Sequence, residues 1–278
     1  SCSQFDSLPL TYLTISGSPW AISVMGASQH VVVTSSTFQD LSGGFVKLGS
    51  VLEENNQQAD ATQWNAFNSV THNVAREQAV EYGGAPGYFG GYTWGVDVSH
   101  NTVTDAGYSG FSQGWGWGGS EAPGYGNATL SYNRMARVMS KMKDGGGIYV
   151  NGHTNNRAPN IMSHNWVDSD EEVFAVYYMD NGASNWRMTQ NVGTNSSAAW
   201  AYFMTGGTGV ASNAAHNNSI DHYWYRGDAA PRNNCAKFNC TVDDATVVAV
   251  AAGKAMPPAA EAIMAASGAT PSTWLTDA

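Results

Sequence analysis

The chain of 278 residues carries little charge, and most of that charge is negative. Only 12% of its residues are Asp, Glu, Lys or Arg, against about 25% in ordinary globular domains. Lys and Arg number 12 against 22 Asp and Glu, which gives a formal net charge of −10. Because no basic run is present to neutralise a phosphate backbone, we expect no nucleic-acid partner.

Long apolar runs, metal-ligand spacings and cysteines are also scarce. The longest apolar stretch, residues 247–253, is followed by Lys254 and falls far short of the roughly 18 residues of a membrane span, so we expect no membrane partner. No His, Cys or carboxylate spacing matches a zinc site or a calcium loop, and no metal or other cofactor is expected. Three cysteines are too few for a disulfide scaffold, although Cys235 and Cys240 are spaced to close a small ring that leaves Cys2 odd.

Aromatic and uncharged polar residues are plentiful. The chain contains 10 Trp, 13 Tyr and 9 Phe, and 42% of its residues are apolar, which is too much for a disordered chain and enough for a buried core. A surface of rings, amides and hydroxyls suits sugars better than anionic or peptide ligands. The alternative interpretation is a secreted protein whose polar side chains serve only its turns.

A repeat runs through the middle of the sequence, with the form apolar, x, x, Asn, followed by an apolar residue one or two positions later. Its copies are centred on Asn73, Asn101, Asn133, Asn165 and Asn191. The intervals are 28, 32, 32 and 26 residues, and a later copy is expected around 216–217. One copy per coil is typical of a solenoid. Asn tolerates the left-handed turn conformation and can donate its amide to the Asn of the next coil, so a ladder of amides is predicted.

A second short strand is predicted after each Asn segment. These strands lie at 45–48, 80–83, 111–114, 148–151, 177–180 and 202–205. Short β-rich runs between Gly and Asn turns predict an all-β fold, a single-stranded right-handed parallel β-helix whose coils lie about 4.8 Å apart.

The C-terminal part of the sequence changes character. From residue 247 the chain is Ala-rich, and a short helix between Pro257 and Gly268 is expected to cover the last coil. The predicted division is therefore β-helix coils in 1–246 and a capping segment in 247–278. Because no initiator Met and no N-terminal cap is evident, Ser1 is expected to be the edge of a longer chain whose first coils or cap are missing.

Three stretches carry a resemblance to known proteins: GYSGFSQGWGWG at 107–118, DGGGIYV at 144–150 and VYYMDNG at 176–182. They resemble right-handed parallel β-helix proteins of the pectate-lyase-like superfamily, and more narrowly β-helix glycoside hydrolases of the family 141 type, whose known activities include fucosidase and xylanase. The resemblance covers about residues 31–268. It implies that Asp144 and Asp180, which flank the Gly-Ile-Tyr and Tyr-Tyr-Met strands, are the catalytic pair. Coil repeats alone do not define the reaction, since this superfamily contains lyases, hydrolases, epimerases and inert spikes.

Alignment of the second strands places the candidate groups on the sheet. We aligned the strands on Phe45, Val80, Phe111, Ile148 and Tyr177. This alignment predicts one outward column of Glu81, Ser112, Tyr149 and Tyr178 and a next outward column of Gly83, Gly114, Asn151 and Asp180. A sugar lying across the coils would then meet Asp180 beside Tyr178 and Asn151.

The second carboxylate is harder to place. Asp144 falls at the corner before its strand, and a flat strand would separate it from Asp180 by about 20 Å, which is too far for a glycosidase pair. Three glycines after Asp144 can fold the corner inward and shorten this separation. The reserve candidates are Glu81, Asp105, Glu171 and Glu172. Trp115 and Trp117 lie among glycines, where their rings either protrude as sugar platforms or stack inside the coil.

Three functions fit these residues, all with a polysaccharide or oligosaccharide as partner and a monomer as the expected state. The first is a secreted glycoside hydrolase for a plant- or algal-type glycan, with Asp144 as acid and Asp180 as base or nucleophile. Its predicted substrate contacts are Tyr149, Tyr178, Asn151, Trp115 and Trp117. The second is a polysaccharide lyase, which needs a cation and a base and is disfavoured by the acidic composition. The third is a non-catalytic carbohydrate-binding or adhesive β-helix.

Overall fold

The strands form a parallel β-helix, as predicted. The computed structural model describes residues 4–6, 9–11, 19–51, 54–117, 122–168, 175–195, 199–203, 214–226 and 238–269. All strand pairs within these ranges are parallel, and each strand between the ends of its ladder pairs with the equivalent strands of the coils before and after it. The coil therefore advances by one strand spacing per turn, about 4.8 Å.

Each coil contributes up to three strands, which stack into three ladders. Ladder 1 contains β1 Gln4–Asp6, β4 Val32–Thr34, β7 Ser69–Thr71, β10 Asp97–Ser99, β13 Thr129–Ser131, β16 Asn160–Ser163 and β22 Thr241–Val242. Ladder 2 contains β2 Pro9–Thr11, β5 Thr37–Gln39, β8 Val74–Gln78, β11 Thr102–Ala106, β14 Arg134–Ala136, β17 Trp166–Asp168 and β23 Val247–Val250. Two longer strands, β19 Trp186–Thr194 and β21 Ser219–Arg226, run through both ladders.

Ladder 3 forms a separate sheet and carries the predicted site. Its strands are β3 Trp20–Val24, β6 Gly44–Leu48, β9 Tyr88–Gly90, β12 Phe111–Gln113, β15 Gly146–Val150, β18 Ala175–Met179 and β20 Ala199–Phe203. Side chains facing the interior form the core; Phe111, Ile148 and Tyr177 share one column and are fully buried. Two 3-10 turns, Glu54–Gln57 and Ala61–Gln63, lie between β6 and β7.

One predicted strand is wrong, and with it the position of Glu81. Residues 80–83 form a turn in which Val80 is 44% exposed, and the strand of this coil is β9. The turn ends in a Gly- and Pro-containing segment that delays the strand, so Phe89 occupies the column position expected for Glu81. The alignment is also shifted by one residue in the coil before, where Val46 rather than Phe45 pairs with Tyr88.

The predicted asparagine ladder is present and entirely buried. Its members are Asn73, Asn101, Asn133, Asn165 and Asn191, all 0% exposed. Each of the first four donates its side-chain amide to the carbonyl oxygen of the next side chain, at 2.9 to 3.1 Å. Each amide also donates to a backbone carbonyl of the preceding coil. Buried amides satisfied in this way fix the register of every coil.

The asparagine ladder differs from the prediction in two details: which residue is left-handed, and where Asn217 lies. The left-handed residue is the one before each Asn, as in His72, His100 and His164 with φ of 55° to 58°. The expected copy at Asn217 lies at a different corner, because Tyr223 is the residue that pairs with Asn191. The residues before the ladder asparagines face outward, where His72, His100, Tyr132 and His164 form a continuous ring stack.

The predicted C-terminal helix is α1, Pro258–Ala266, with Pro257 at its N-cap. Its buried residues Ala260 and Ile263 pack with Val192, Trp166 and Trp224, which lie on ladder 2. The chain after the helix reaches earlier coils, with the Gly268 amide donating to the Tyr132 carbonyl. The helix and the segment after it thus cover the flank of several coils, a wider contact than the predicted cover of the last one. None of the helices in the described ranges has the length and apolar character that a membrane crossing requires.

Candidate active site

The outer face of ladder 3 presents a column of tyrosines. Tyr149, Tyr178 and Tyr202 pair in register on three successive strands, and their rings contact each other edge-on at 5.2 and 5.3 Å. Ile148 and Val150 point into the core, so the tyrosines between them and their counterparts lie on the opposite face of the sheet. That face was predicted to be open to solvent, but Tyr149 and Tyr178 are only 5% and 1% exposed. The next outward position lies just past the strand ends and is held by Asn151 and Asp180, as the sequence predicts.

The Asp180 carboxylate lies at the centre of a group of hydrogen-bond donors. Its Oδ2 accepts from the Tyr149 hydroxyl and from Trp117 Nε1 at 3.1 Å, and its Oδ1 accepts from the Tyr178 hydroxyl at 3.3 Å. Asn151 Nδ2 in turn donates to the Tyr149 hydroxyl at 3.2 Å. Asp180 is only 8% exposed, and a carboxylate that far from water needs such donors to be tolerated.

A tight turn fixes the position of Asp180. The residue follows β18 directly, and its carbonyl accepts from the Ala183 amide at 2.9 Å. Gly182, inside the turn, has φ of 74°, a conformation that favours glycine. The Asp180 amide donates to the Val150 carbonyl at 2.8 Å. Backbone bonds on both sides thus hold the carboxylate at the rim of the sheet.

The tyrosines around Asp180 act as hydrogen-bond donors. Burial first, and the charge of Asp180 second, raise the pKa of Tyr149 and of Tyr178 well above the usual range. Both hydroxyls therefore stay protonated at any physiological pH and donate to the carboxylate. Proton abstraction by either tyrosine is correspondingly disfavoured.

Asp144 is an exposed residue at the corner two residues before β15. Partial burial and, second, the charge of Asp180 raise the pKa of Asp144 above its ordinary value. The charges of both acids also raise the pKa of Tyr178, so the two carboxyl groups act on a common region.

Tyr108 belongs to this region and was not predicted. Its hydroxyl donates to the Asp144 carbonyl oxygen at 2.9 Å. Burial, followed by the charge of Asp144, raises the pKa of Tyr108 to about 12. The pairing of Phe111 with Ile148 places residues 107–110 beside 144–147, so aligning the two Gly-rich corners would have found Tyr108 from the sequence.

The two predicted tryptophans lie outside the coil rather than stacked within it. Trp115 and Trp117 contact each other edge-on at 4.1 Å, and Trp117 is 38% exposed. Trp115 also packs edge-on against Phe89 at 6.1 Å. Trp117 therefore combines an exposed ring with an indole N–H that donates to Asp180, an arrangement suited to positioning a sugar against the carboxylate.

The structure does not bring the described reserve acids into this site. Asp105 forms an exposed two-point ion pair with Arg137, at 2.6 and 2.8 Å, and this hydrogen bonding lowers the pKa of Asp105. Glu81 is an exposed turn residue whose amide donates to the Ser42 carbonyl. Glu171 and Glu172 lie outside the described residues. In the part of the chain that the structure describes, no group of three His, Cys, Asp or Glu side chains is arranged to hold a metal ion.

Comparisons with known proteins support the fold only. No protein-family model matches the chain, and no curated protein matches it. A solved structure described as a glycoside hydrolase is similar, with a TM-score of 0.56 and 17% identical residues. The similarity covers 92% of this chain and 37% of that one. The chain thus shares the fold of a protein well over twice its length.

Electrostatic coupling between the two acids predicts a change in titration. Because a neighbouring negative charge disfavours ionisation, Asp180→Asn should lower the pKa of Asp144. Carbon-detected NMR of the side-chain carboxyls measures the midpoint directly, and Asp105→Asn provides a matched control that should leave Asp144 unchanged. An Asp144 midpoint that is the same in the parent and in Asp180→Asn would contradict the shared region.

Proposed function

We propose that this chain is a carbohydrate-active enzyme that hydrolyses glycosidic bonds at Asp180. The observation that carries the proposal is a nearly buried carboxylate at the rim of an outward sheet, held by Trp117, Tyr149 and Tyr178. Structural carboxylates are usually paired with a cation, whereas every described side-chain partner of Asp180 is an aromatic donor. The same fold occurs in a solved structure described as a glycoside hydrolase, so the fold is compatible with this class of enzyme.

The roles of the two acids follow from their surroundings. Asp144 is partly exposed and has a raised pKa, so it keeps its proton to higher pH, as a general acid requires. Asp180 is held by donors only, which suits a carboxylate that attacks the anomeric carbon or activates water. We assign Asp144 as the acid and Asp180 as the base or nucleophile.

The substrate is proposed to be a plant- or algal-type glycan that lies across ladder 3. Trp115 and Trp117 would flank the sugar toward the preceding coils. Tyr149, Tyr178 and Asn151, which were predicted as substrate contacts, are buried, so they would instead hold Asp180 in position beside the sugar. A secreted location fits the low charge, and Cys240 is disulfide-bonded, as is usual in oxidising compartments. The resemblance to the family 141 type favours fucose- or xylose-containing substrates.

Hydrolysis is preferred over elimination on chemical grounds. A lyase needs a base for the sugar proton next to a uronate carboxyl and a cation to neutralise that carboxyl. The tyrosines of the site have raised pKa values, which makes them poor bases, and the charged groups beside them are acids. A uronate would therefore meet repulsion at Asp180.

A panel of polysaccharides distinguishes the three functions. We expect new reducing ends from a fucose- or xylose-containing glycan, without the ultraviolet absorbance of an unsaturated uronate. Absorbance that rises with cleavage would show a lyase instead. Binding without cleavage of any glycan on the panel would show a carbohydrate-binding β-helix.

A further inference from the structure

A second groove lies on ladder 1, on a different sheet from the Asp180 site. It has a volume of about 600 Å³ and crosses four successive coils at the C-terminal end of the β-helix. Its lining belongs to β16, β19, β21 and β22 and to the corner that precedes each of them. The proposed hydrolysis uses none of these residues.

One wall of the groove is a row of four asparagines, one from each coil. They are Asn156, Asn185, Asn217 and Asn239, and each of the last three donates its side-chain amide to the carbonyl oxygen of the one before. Unlike the buried ladder, this row lies at the surface, with Asn156, Asn217 and Asn239 exposed. The row therefore presents one amide group per coil, with hydrogen-bond donors and acceptors repeated at the coil spacing. This regular repeat suits a ligand whose hydroxyl groups also repeat regularly.

The floor carries one cation and one anion with unused hydrogen-bonding capacity. Arg187 is exposed, and its side chain has no hydrogen bond or ion pair among the described residues. Asp221 accepts from the Thr189 hydroxyl and contacts His222 through the same oxygen, Oδ1. Its Oδ2 has no described partner. The guanidinium of Arg187 and the carboxylate of Asp221, on adjacent coils, can therefore form hydrogen bonds with a ligand.

The remaining lining completes a site for a sugar. Ser219 and Thr241 add hydroxyls in register with Arg187, whereas Ala158 and Pro159 form an apolar end. Sugars present pairs of hydroxyls to planar side chains and an apolar C–H face to small apolar ones. The two charges on the floor have opposite signs. For an acidic sugar, attraction to Arg187 would be offset by repulsion from Asp221, so the groove does not favour acidic sugars over neutral ones.

From this arrangement we infer that the groove binds a neutral oligosaccharide, separately from the Asp180 site. Such a site would hold a polymer on the outside of ladder 1 whether or not the chain cleaves it. Its length, three strand spacings or about 14 Å, limits the bound segment to a few sugar units.

The inference is tested by calorimetric titration in an Asp180→Asn background, in which the probe is not cleaved at the proposed site. The probes are xylohexaose, cellohexaose and mannohexaose, with hexagalacturonate as the acidic comparison. We expect at least one neutral probe to bind, and we expect Arg187→Ala to weaken that binding by about tenfold or more through the loss of charged hydrogen bonds. Ser219→Trp, which fills the floor, should weaken it at least as much.

Arg76→Ala is the matched control, because Arg76 is an exposed arginine on ladder 2 at the other end of the molecule. It should leave binding unchanged, and thermal melting of every variant confirms that the fold is retained. Binding that survives both groove variants would overturn the inference, as would binding of the acidic probe alone or of no probe. Turnover is measured in a separate experiment. If the chain does not hydrolyse any glycan, the binding titration still tests the groove.

Discussion

Asp180→Asn is expected to lower the rate of glycosidic cleavage by at least about a hundredfold. The change keeps the shape of the side chain but removes the charge that would attack the anomeric carbon or accept a proton from water. It also places an amide N–H₂ opposite the donors of Trp117 and Tyr149, so a modest loss of stability of about 1–3 kcal/mol accompanies it. Rates are measured as reducing ends released from the glycan that the parent cleaves.

Asp144→Asn should show a different pattern on activated substrates. A general acid matters most when the leaving group is poor, since a good leaving group departs without a proton. The variant should therefore lose at least about a hundredfold on the natural glycan and much less on an aryl glycoside of the same sugar. Asp180→Asn should be impaired on both.

Asp105→Asn serves as the control for these two variants, because Asp105 is engaged by Arg137 at an exposed position. Its rate should match that of the parent. Near-normal turnover in both Asp144→Asn and Asp180→Asn would show that the assignment of the pair is wrong. Loss of activity in Asp105→Asn alone would move the search to ladder 2.

The fold could be predicted because its main constraint is visible in the sequence. A buried amide must find partners, and five asparagines at nearly constant intervals can satisfy one another only if each coil returns to the same corner. The third ladder was less predictable because the distance from the ladder Asn varies. Phe111 follows Asn101 by 10 residues and Tyr88 follows Asn73 by 15, although Phe111 and Tyr88 pair in register.

The site was predictable where strand register determines it and not where loops do. The alternation of residues along β15 and β18 is sufficient to place Tyr149, Asn151 and Asp180 together. Trp117, in contrast, reaches Asp180 from a Gly-rich segment after β12, whose path the sequence pattern does not define. The sequence therefore leaves the Trp117 ring free to face inward or outward, and its contacts in the structure place it outside the coil.

Replacing Asn165 with Ala should destabilise the protein more than any surface change. The Asn165 side chain accepts from both the backbone amide and the side-chain amide of Asn133, each at 3.0 Å. It donates to the Leu130 carbonyl at 2.9 Å and to Asn191 Oδ1 at 3.0 Å. Ala removes all four bonds, although Asn133 Nδ2 keeps the Val98 carbonyl and Asn191 Oδ1 keeps the backbone amide of residue 165. The main cost therefore falls on the Asn133 backbone amide and the Leu130 carbonyl, at about 1–3 kcal/mol for each that water cannot reach.

We therefore expect a loss of about 3–5 kcal/mol in the free energy of unfolding, which corresponds to a fall in melting temperature of about 5–10 °C for a chain of this size. Calorimetry measures the fall.

Gln39→Ala is the matched control. It removes a partly exposed amide whose one described hydrogen bond, to Glu77, is exposed, and it should cost less than about 0.5 kcal/mol. Hydrogen exchange then locates the effect: the backbone amide of Asn133 loses its acceptor and should exchange faster in Asn165→Ala, whereas that of Asn73, bonded to Asn101, should not. Equal melting temperatures for Asn165→Ala and Gln39→Ala would show that the ladder does not stabilise the coils.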